Sequence, residues 1–186
     1  MKKNKIEKGV VRFPPEASLS QGNFSWRLSI ADVAEPGAFS SFPGCDRWIT
    51  VLDPKKSLAL QVGKTSKVQL RFGEAFRFSG EETTMAEIPE GKLRDLSFVF
   101  RRETVKAEMK IVAFAGKPRS FSLTQGQVIL FALEGTIAVS AYPGEHQFTL
   151  GPLDAVLVNE IADGSERLLL LETESGRASL AAIELK

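Results

Sequence analysis

Three side chains that carry much of the acid–base, redox and metal chemistry of proteins are nearly missing from this chain. Its 186 residues contain one histidine, His146, one cysteine, Cys45, and one tyrosine, Tyr142. A lone cysteine excludes an internal disulfide. A lone histidine excludes the sets of two or three histidines that, with a carboxylate, hold a divalent transition metal, so no metal is expected. It also leaves a serine or cysteine nucleophile without its usual base. His146 falls in a turn expected at Pro143-Gly144-Glu145-His146, where a polar ring meets water, and Tyr142 beside it makes a hairpin tip rather than an acid–base pair.

An excess of charge is missing too. Lys and Arg number 24 against 23 Asp and Glu, so the molecule lacks the basic field that nonspecific nucleic-acid binding needs. The one basic stretch, Met1-Lys2-Lys3-Asn4-Lys5, reads as a solvated tail. No apolar run approaches the ~20 residues of a membrane-crossing helix, and none follows the basic start as it would in a secretion signal. The expected location is the cytoplasm, with neither nucleic acid nor membrane as partner. No glycine cluster joins a strand to a helix in a phosphate-binding pattern, and no cofactor is expected.

What the chain does have is alternation at spacing two, the mark of strands with two unlike faces. Trp26, Leu28 and Ile30 alternate with Ser25, Arg27 and Ser29. Further strands are predicted over 48–52, 58–62, 68–72, 96–100 and 106–114, then over 128–133, 136–141, 147–150, 155–158, 168–171 and 178–185. Turn chemistry separates them at Pro36-Gly37, Pro43-Gly44, Asp53-Pro54, Gly63-Lys64, Gly73-Glu74 and Gly91-Lys92. The pattern repeats: TVLDPKKSLALQVGKTSKVQL (50–70) aligns with FALEGTIAVSAYPGEHQFTL (131–150), strand on strand, at an offset of roughly eighty residues. An all-β fold of two barrel-like halves is expected, residues 1–115 and 116–186, the second serving mainly as scaffold.

Three segments are more polar than a plain barrel needs. In FSWRLSIADV (24–33), Arg27 and Ser29 share a face that points either into a barrel or to water; alternation alone leaves both open. In PGAFSSFPGCDRWITVL (36–52), Phe39 and Phe42 sit between two Pro-Gly turns ahead of Asp46-Arg47, as a lip over a pocket or as a pinned surface loop. Cys45 reads as a partly buried loop thiol, whose pKa a neighbouring Arg47 would lower. In FRFSGEE (76–82) and GKLRDLSFVFRR (91–102), Glu81, Glu82, Asp95, Arg101 and Arg102 bracket a phenylalanine-rich strand, and salt bridging is the default reading. Asp95, Ser97 and Arg101 share one face of that strand, Phe98 and Phe100 the other.

Together, F-x-W-R-L-S-I-A (24–31), G-x-F-S-x-F-P-G-x-D-R (37–47), F-x-G-E (78–81) and L-R-D-L-S-x-x-x-R-R (93–102) closely resemble the HutD/Ves family of bicupins. The resemblance implies two cupin halves without a catalytic metal, in bacteria, and a sensor or binder of a small carboxylate metabolite such as a histidine-degradation intermediate. Carried onto this chain, the residues it implies are Arg27, Ser29, Arg47 and Asp95. Two features depart from the family: residues 10–23 lack its tryptophan-, asparagine- and glycine-rich opening, and its D-F-N reads Asp95-Leu96-Ser97 here.

The function expected is therefore binding of a small anionic metabolite in a regulatory role. Arg27 and Arg47 would hold the anion, with Ser29, Asp95 and Ser97 orienting its polar groups. A metal-free isomerase or hydrolase using Glu81 or Asp95 as general base is the alternative. A purely structural or protein-interaction role is a third, and pairing of edge strands would allow a homodimer.

Overall fold

The computed structural model describes residues 24–64, 66–123, 125–143, 146–159, 164–173 and 176–186. The basic start and the departing segment 10–23 lie outside them. Among the described residues every regular element is a strand. The first eight are β1 (Trp26–Val33), β2 (Gly37–Ala38), β3 (Cys45–Val51), β4 (Ser57–Val62), β5 (Ser66–Arg71), β6 (Ala75–Ser79), β7 (Thr84–Glu87) and β8 (Leu93–Arg101). The next eight are β9 (Ala107–Phe114), β10 (Arg119–Leu123), β11 (Gln127–Glu134), β12 (Ile137–Tyr142), β13 (His146–Leu150), β14 (Ala155–Asn159), β15 (Arg167–Thr173) and β16 (Ala178–Leu185). No helix among the described residues is long and apolar enough to cross a membrane.

The strands form four antiparallel sheets, and their order repeats. One half has the sheets β1-β8-β3-β6 and β2-β7-β4-β5; the other has β9-β16-β11-β14 and β10-β15-β12-β13. Adding eight to every strand number of the first half gives the second. The segments aligned above as 50–70 and 131–150 are accordingly β4-β5 and β12-β13 with the ends of β3 and β11. The chain divides between Lys106 and Ala107 rather than after residue 115, because β9 pairs along its whole length with β16 from the C-terminal end.

Each half buries its own apolar cluster. In the first, Ile49 and Val51 of β3, Leu58, Leu60 and Val62 of β4, Leu70 of β5, Phe78 of β6, Ala86 of β7 and Leu93 of β8 pack together, drawing on both sheets. In the second, Val128, Leu130 and Ala132 of β11 meet Ile137 and Val139 of β12, Leu169 and Leu171 of β15, and Leu180 and Ala182 of β16. Most are β-branched or leucine side chains, with Phe78 and the alanines Ala86, Ala132 and Ala182 between them, and within β3, β4 and β11 they recur at every second position, as two facing sheets require.

Four strands go beyond the sequence reading: β2, β6, β7 and β10. All are short. The segment Arg119-Ser120-Phe121-Ser122-Leu123 is polar at three of five positions, and Gly37 of the expected Pro36-Gly37 turn is itself paired with Ala86. His146 is the first residue of β13 and is exposed, while Gly144 and Glu145 of the expected turn lie outside the described residues. Cys45 is the buried first residue of β3 rather than a loop thiol.

Candidate functional site

Residues paired across antiparallel strands share a face of the sheet, so the register shows which side chains meet. In the sheet β1-β8-β3-β6 one row runs Arg27, Val99, Arg47, Phe78. The next row on the same face runs Ser29, Ser97, Ile49, Phe76, and the third Ala31, Asp95, Val51. All five residues singled out in the sequence, Arg27, Ser29, Arg47, Asp95 and Ser97, thus stand on one face. It is the inward face, since Ile49, Val51 and Phe78 lie on it within the first-half cluster.

Arg47 is 7% exposed, and its Nε donates to Ser97 Oγ at 2.7 Å. Its guanidinium carbon lies 4.3 Å from the Phe39 ring centroid and 5.8 Å from that of Phe78. Cation–π attraction replaces part of the hydration that burial removes. That burial pulls the Arg47 pKa below its ordinary value; Asp95 opposes the shift and Arg27 adds to it. Arg27 is half-buried, with its guanidinium carbon 5.2 Å from the Phe42 ring centroid and 5.9 Å from that of Phe24. Its Nε has no hydrogen-bond partner among the described residues.

Asp95 is 1% exposed, and neither carboxylate oxygen accepts a hydrogen bond from any described residue. Burial pushes its pKa up from 3.8 to about 6, against the opposing pull of Arg47. Such a group is rare: a buried carboxylate ordinarily finds donors, since leaving its oxygens unmet costs several kcal/mol. Two arginines and one unmet carboxylate on a single interior face form a cluster able to hold an anion and a proton donor side by side.

The second half supplies an internal comparison. The offset that aligns Thr50 with Phe131 puts Val128 in the place of Arg47. Ile49, whose β8 partner is Ser97, becomes Leu130, whose β16 partner is Ala182; Val51, partnered by Asp95, becomes Ala132, partnered by Leu180. Arginine, serine and aspartate are thereby replaced by fully buried Val128, Ala182 and Leu180. At these three places on β3 and β8 the frame is polar in one copy and apolar in the other, whereas the places of Arg27 and Ser29 on β1 are held in β9 by Glu108 and Lys110.

The remaining polar residues of the motifs lie elsewhere. Asp46 and Arg47 are sequence neighbours and so face opposite ways. On the reverse face Asp46 pairs with Arg77 at 2.7 Å and with Arg102 at 3.3 Å, and Arg102 pairs with Glu81 at 2.6 Å. Glu81, exposed, also accepts from the Gly44 backbone N–H at 2.6 Å, and that bond holds its pKa below the usual carboxylate value. Salt bridging therefore accounts for Glu81 and Arg102 but leaves Asp95 out. Arg101 Nε donates to the Phe24 carbonyl at 3.0 Å. Burial raises the pKa of Cys45, and the arginines pulling it down are Arg101 and Arg102 rather than Arg47. Among the described residues no group of three or more His, Cys, Asp or Glu is placed to hold a metal ion.

The aromatic loop after β2 is held against the arginines by Gly80. The Phe42 N–H donates to the Gly80 carbonyl at 2.7 Å, and the Gly80 N–H to the Cys45 carbonyl at 2.9 Å. A Cβ on Gly80 would stand 2.9 Å from the Phe42 carbonyl oxygen, so only glycine admits this approach. Arg77, Phe78, Gly80 and Glu81 are thus explained residue by residue: an ion pair with Asp46, a ring under Arg47, a clasp on the loop, and an anchor for Gly44. Phe24, Phe39, Phe42 and Phe78 as partners of the two arginines are what sequence reasoning left out; the alternation of FRF in β6 was the available signal.

The family model described as HutD matches residues 7–176. An uncharacterised 21.2 kDa protein in the hutC 3′ region of Pseudomonas putida is 36% identical over 151 residues, 81% of this chain and 75% of that protein. Protein Ves of Citrobacter koseri is 34% identical over 100 residues, 53% of this chain and 50% of its own. Among solved structures, a conserved protein of unknown function from Pseudomonas aeruginosa superposes with TM-score 0.76 at 28% identity, covering 88% of this chain and 81% of that one. HutD from Pseudomonas fluorescens, in a formate condition, gives TM-score 0.71 at 26% identity, covering 92% and 85%. A cupin 2 conserved barrel domain protein from Leptotrichia buccalis gives TM-score 0.55 at 11% identity, covering 87% and 84%, a likeness of fold alone.

Proposed function

The chain belongs to the HutD family and is an all-β bicupin, and on that premise we propose that it binds a small anionic metabolite in its first half, in a sensing or regulatory role. The observation that carries this reading is the pair Arg27 and Arg47. Both point to the interior face of one sheet, both rest on phenylalanine rings, and neither makes an ion pair with a described residue. A buried guanidinium is kept where a carboxylate or similar anion completes it, because the desolvation cost is otherwise unrecovered. Ser97 fixes the Arg47 fork, and Ser29, its partner across β1 and β8, offers a second hydroxyl on the same face.

Calorimetric titration with a panel of amino-acid-derived carboxylates tests the proposal. Saturable binding that Arg27→Ala abolishes, in a variant whose circular dichroism is unchanged, supports it. Absence of binding across the panel, or binding indifferent to Arg27 and Arg47, overturns it.

One observation favours a second reading. Asp95 has the raised pKa of a carboxyl that exchanges protons near neutrality, which a metal-free isomerase or hydrolase would use as its general base. Glu81 does not qualify, being exposed, ion-paired and held ionised. Turnover of a bound carboxylate that Asp95→Asn abolishes while binding persists is the result that would favour catalysis over sensing.

A further inference from the structure

Resting on the reading of an anion site at Arg27 and Arg47, we infer that the ligand is dipolar, and that Asp95 selects it by accepting an N–H or ammonium group at the end opposite the anion. Asp95 stands two rows from Arg47 on the same face, at a different height along the strands: Arg47 is level with Val99 of β8, and Asp95 lies four residues before Val99. Both oxygens of Asp95 are buried and unmet, no ion pair joins it to Arg47, and Ser97, in the row between them, already serves Arg47. A side chain that merely balanced Arg47 would sit in hydrogen-bond contact with it. Instead the cluster keeps positive and negative groups apart on one wall, which fits a molecule carrying the opposite charges at its two ends.

A plain monoanion fits the same wall poorly. Bound to Arg47, it places a second negative charge beside Asp95, and the two tolerate each other only once Asp95 takes up a proton. The charged group acting on Asp95 among the described residues is Arg47 from β3; on β1 its partner is Ala31, and Arg27 stands two rows away on the same face. The opposing sheet brings Leu58, Leu60 and Val62 of β4, Leu70 of β5 and Ala86 of β7, which carry no charge. Affinity for a monoanion therefore falls as pH rises above about 6, whereas a dipolar ligand, which meets Asp95 in its ionised form, keeps its affinity to pH 8.

The test uses the full chain and matched pairs of probes: acetate with glycine, propionate with β-alanine, and butyrate with 4-aminobutyrate, titrated at pH 5.5 and pH 8 and followed by amide chemical shifts. At least one amino acid should bind roughly tenfold to a hundredfold tighter than its partner acid at pH 8, the return of one charge-assisted hydrogen bond. The gap should narrow at pH 5.5. Asp95→Asn should erase both the gap and its pH dependence while leaving the acid bound, and it preserves side-chain shape so that loss of the fold is not the cause. Equal binding within every pair, or a gap that Asp95→Asn leaves intact, overturns the inference and leaves the anion site standing. Failure of every probe to shift the amides of β1, β3 and β8 overturns both.

Discussion

Arg47 Nε donates to Ser97 Oγ across 2.7 Å inside the first half, bridging the adjacent strands β3 and β8. That bond sets the guanidinium against Phe39 and leaves its remaining N–H groups aimed away from Ser97. Removing the hydroxyl strands the buried Nε. Ser97→Ala is expected to lower stability by about 1–3 kcal/mol in urea unfolding and to weaken anion binding, even though it deletes a single atom.

Asp95 gives a pH dependence whose sign follows from its raised pKa. Between 3.8 and about 6 the native protein holds a proton that the unfolded chain has lost. The ionised side chain therefore costs stability above pH 6, and the cost is lifted as pH falls through 6 toward 4. Asp95→Asn is expected to stabilise the protein at pH 8 by up to about 3 kcal/mol and by little at pH 4, checked by denaturation of both proteins at the two values.

Gly80 clasps the aromatic loop, so Gly80→Ala forces the Phe42 carbonyl outward. A loss of about 1–3 kcal/mol is expected, together with weaker binding through displaced Phe42, the ring beneath Arg27. Tryptophan fluorescence, with Trp26 next to Arg27 in sequence, reports the shift.

The apolar copy predicts an asymmetry. Val128→Arg sets a guanidinium into an apolar cluster where the carboxylate across the strand pair, Glu184, is already paired with Lys110, and should destabilise by several kcal/mol or prevent folding. Arg47→Val in the first half should be tolerated, with folding retained in a thermal melt and anion binding lost.

Alternation in 24–33 was enough to put Arg27 and Ser29 on one face, and the same count put Asp95 with Ser97. The repeat at 50–70 and 131–150 announced paired halves. Arg47 was harder to read, because CDRWITV is buried at six of seven positions and shows no alternation; only its register against Val99 brings it level with Arg27. The grouping of Asp95 with Glu81 and Arg102 rested on closeness in sequence, whereas a period of two sends Arg102 and Asp46 to the reverse face. Strands β2, β6, β7 and β10 were obscured by brevity and polar composition, since their place is set by neighbours in the sheet rather than by their own residues.

A strand order that recurs eight strands later means that this chain carries a worked answer to its own redesign. Where the first half spends stability on Arg47, Ser97 and Asp95, the second shows an apolar residue in each equivalent place, whereas on the outer strand, where Glu108 and Lys110 stand for Arg27 and Ser29, it keeps charge. Arg47→Val, Asp95→Leu and Ser97→Ala, read across from Val128, Leu180 and Ala182, convert one solution into the other within a single polypeptide. The difference in stability between the parent and that triple variant measures what the polar wall costs the molecule.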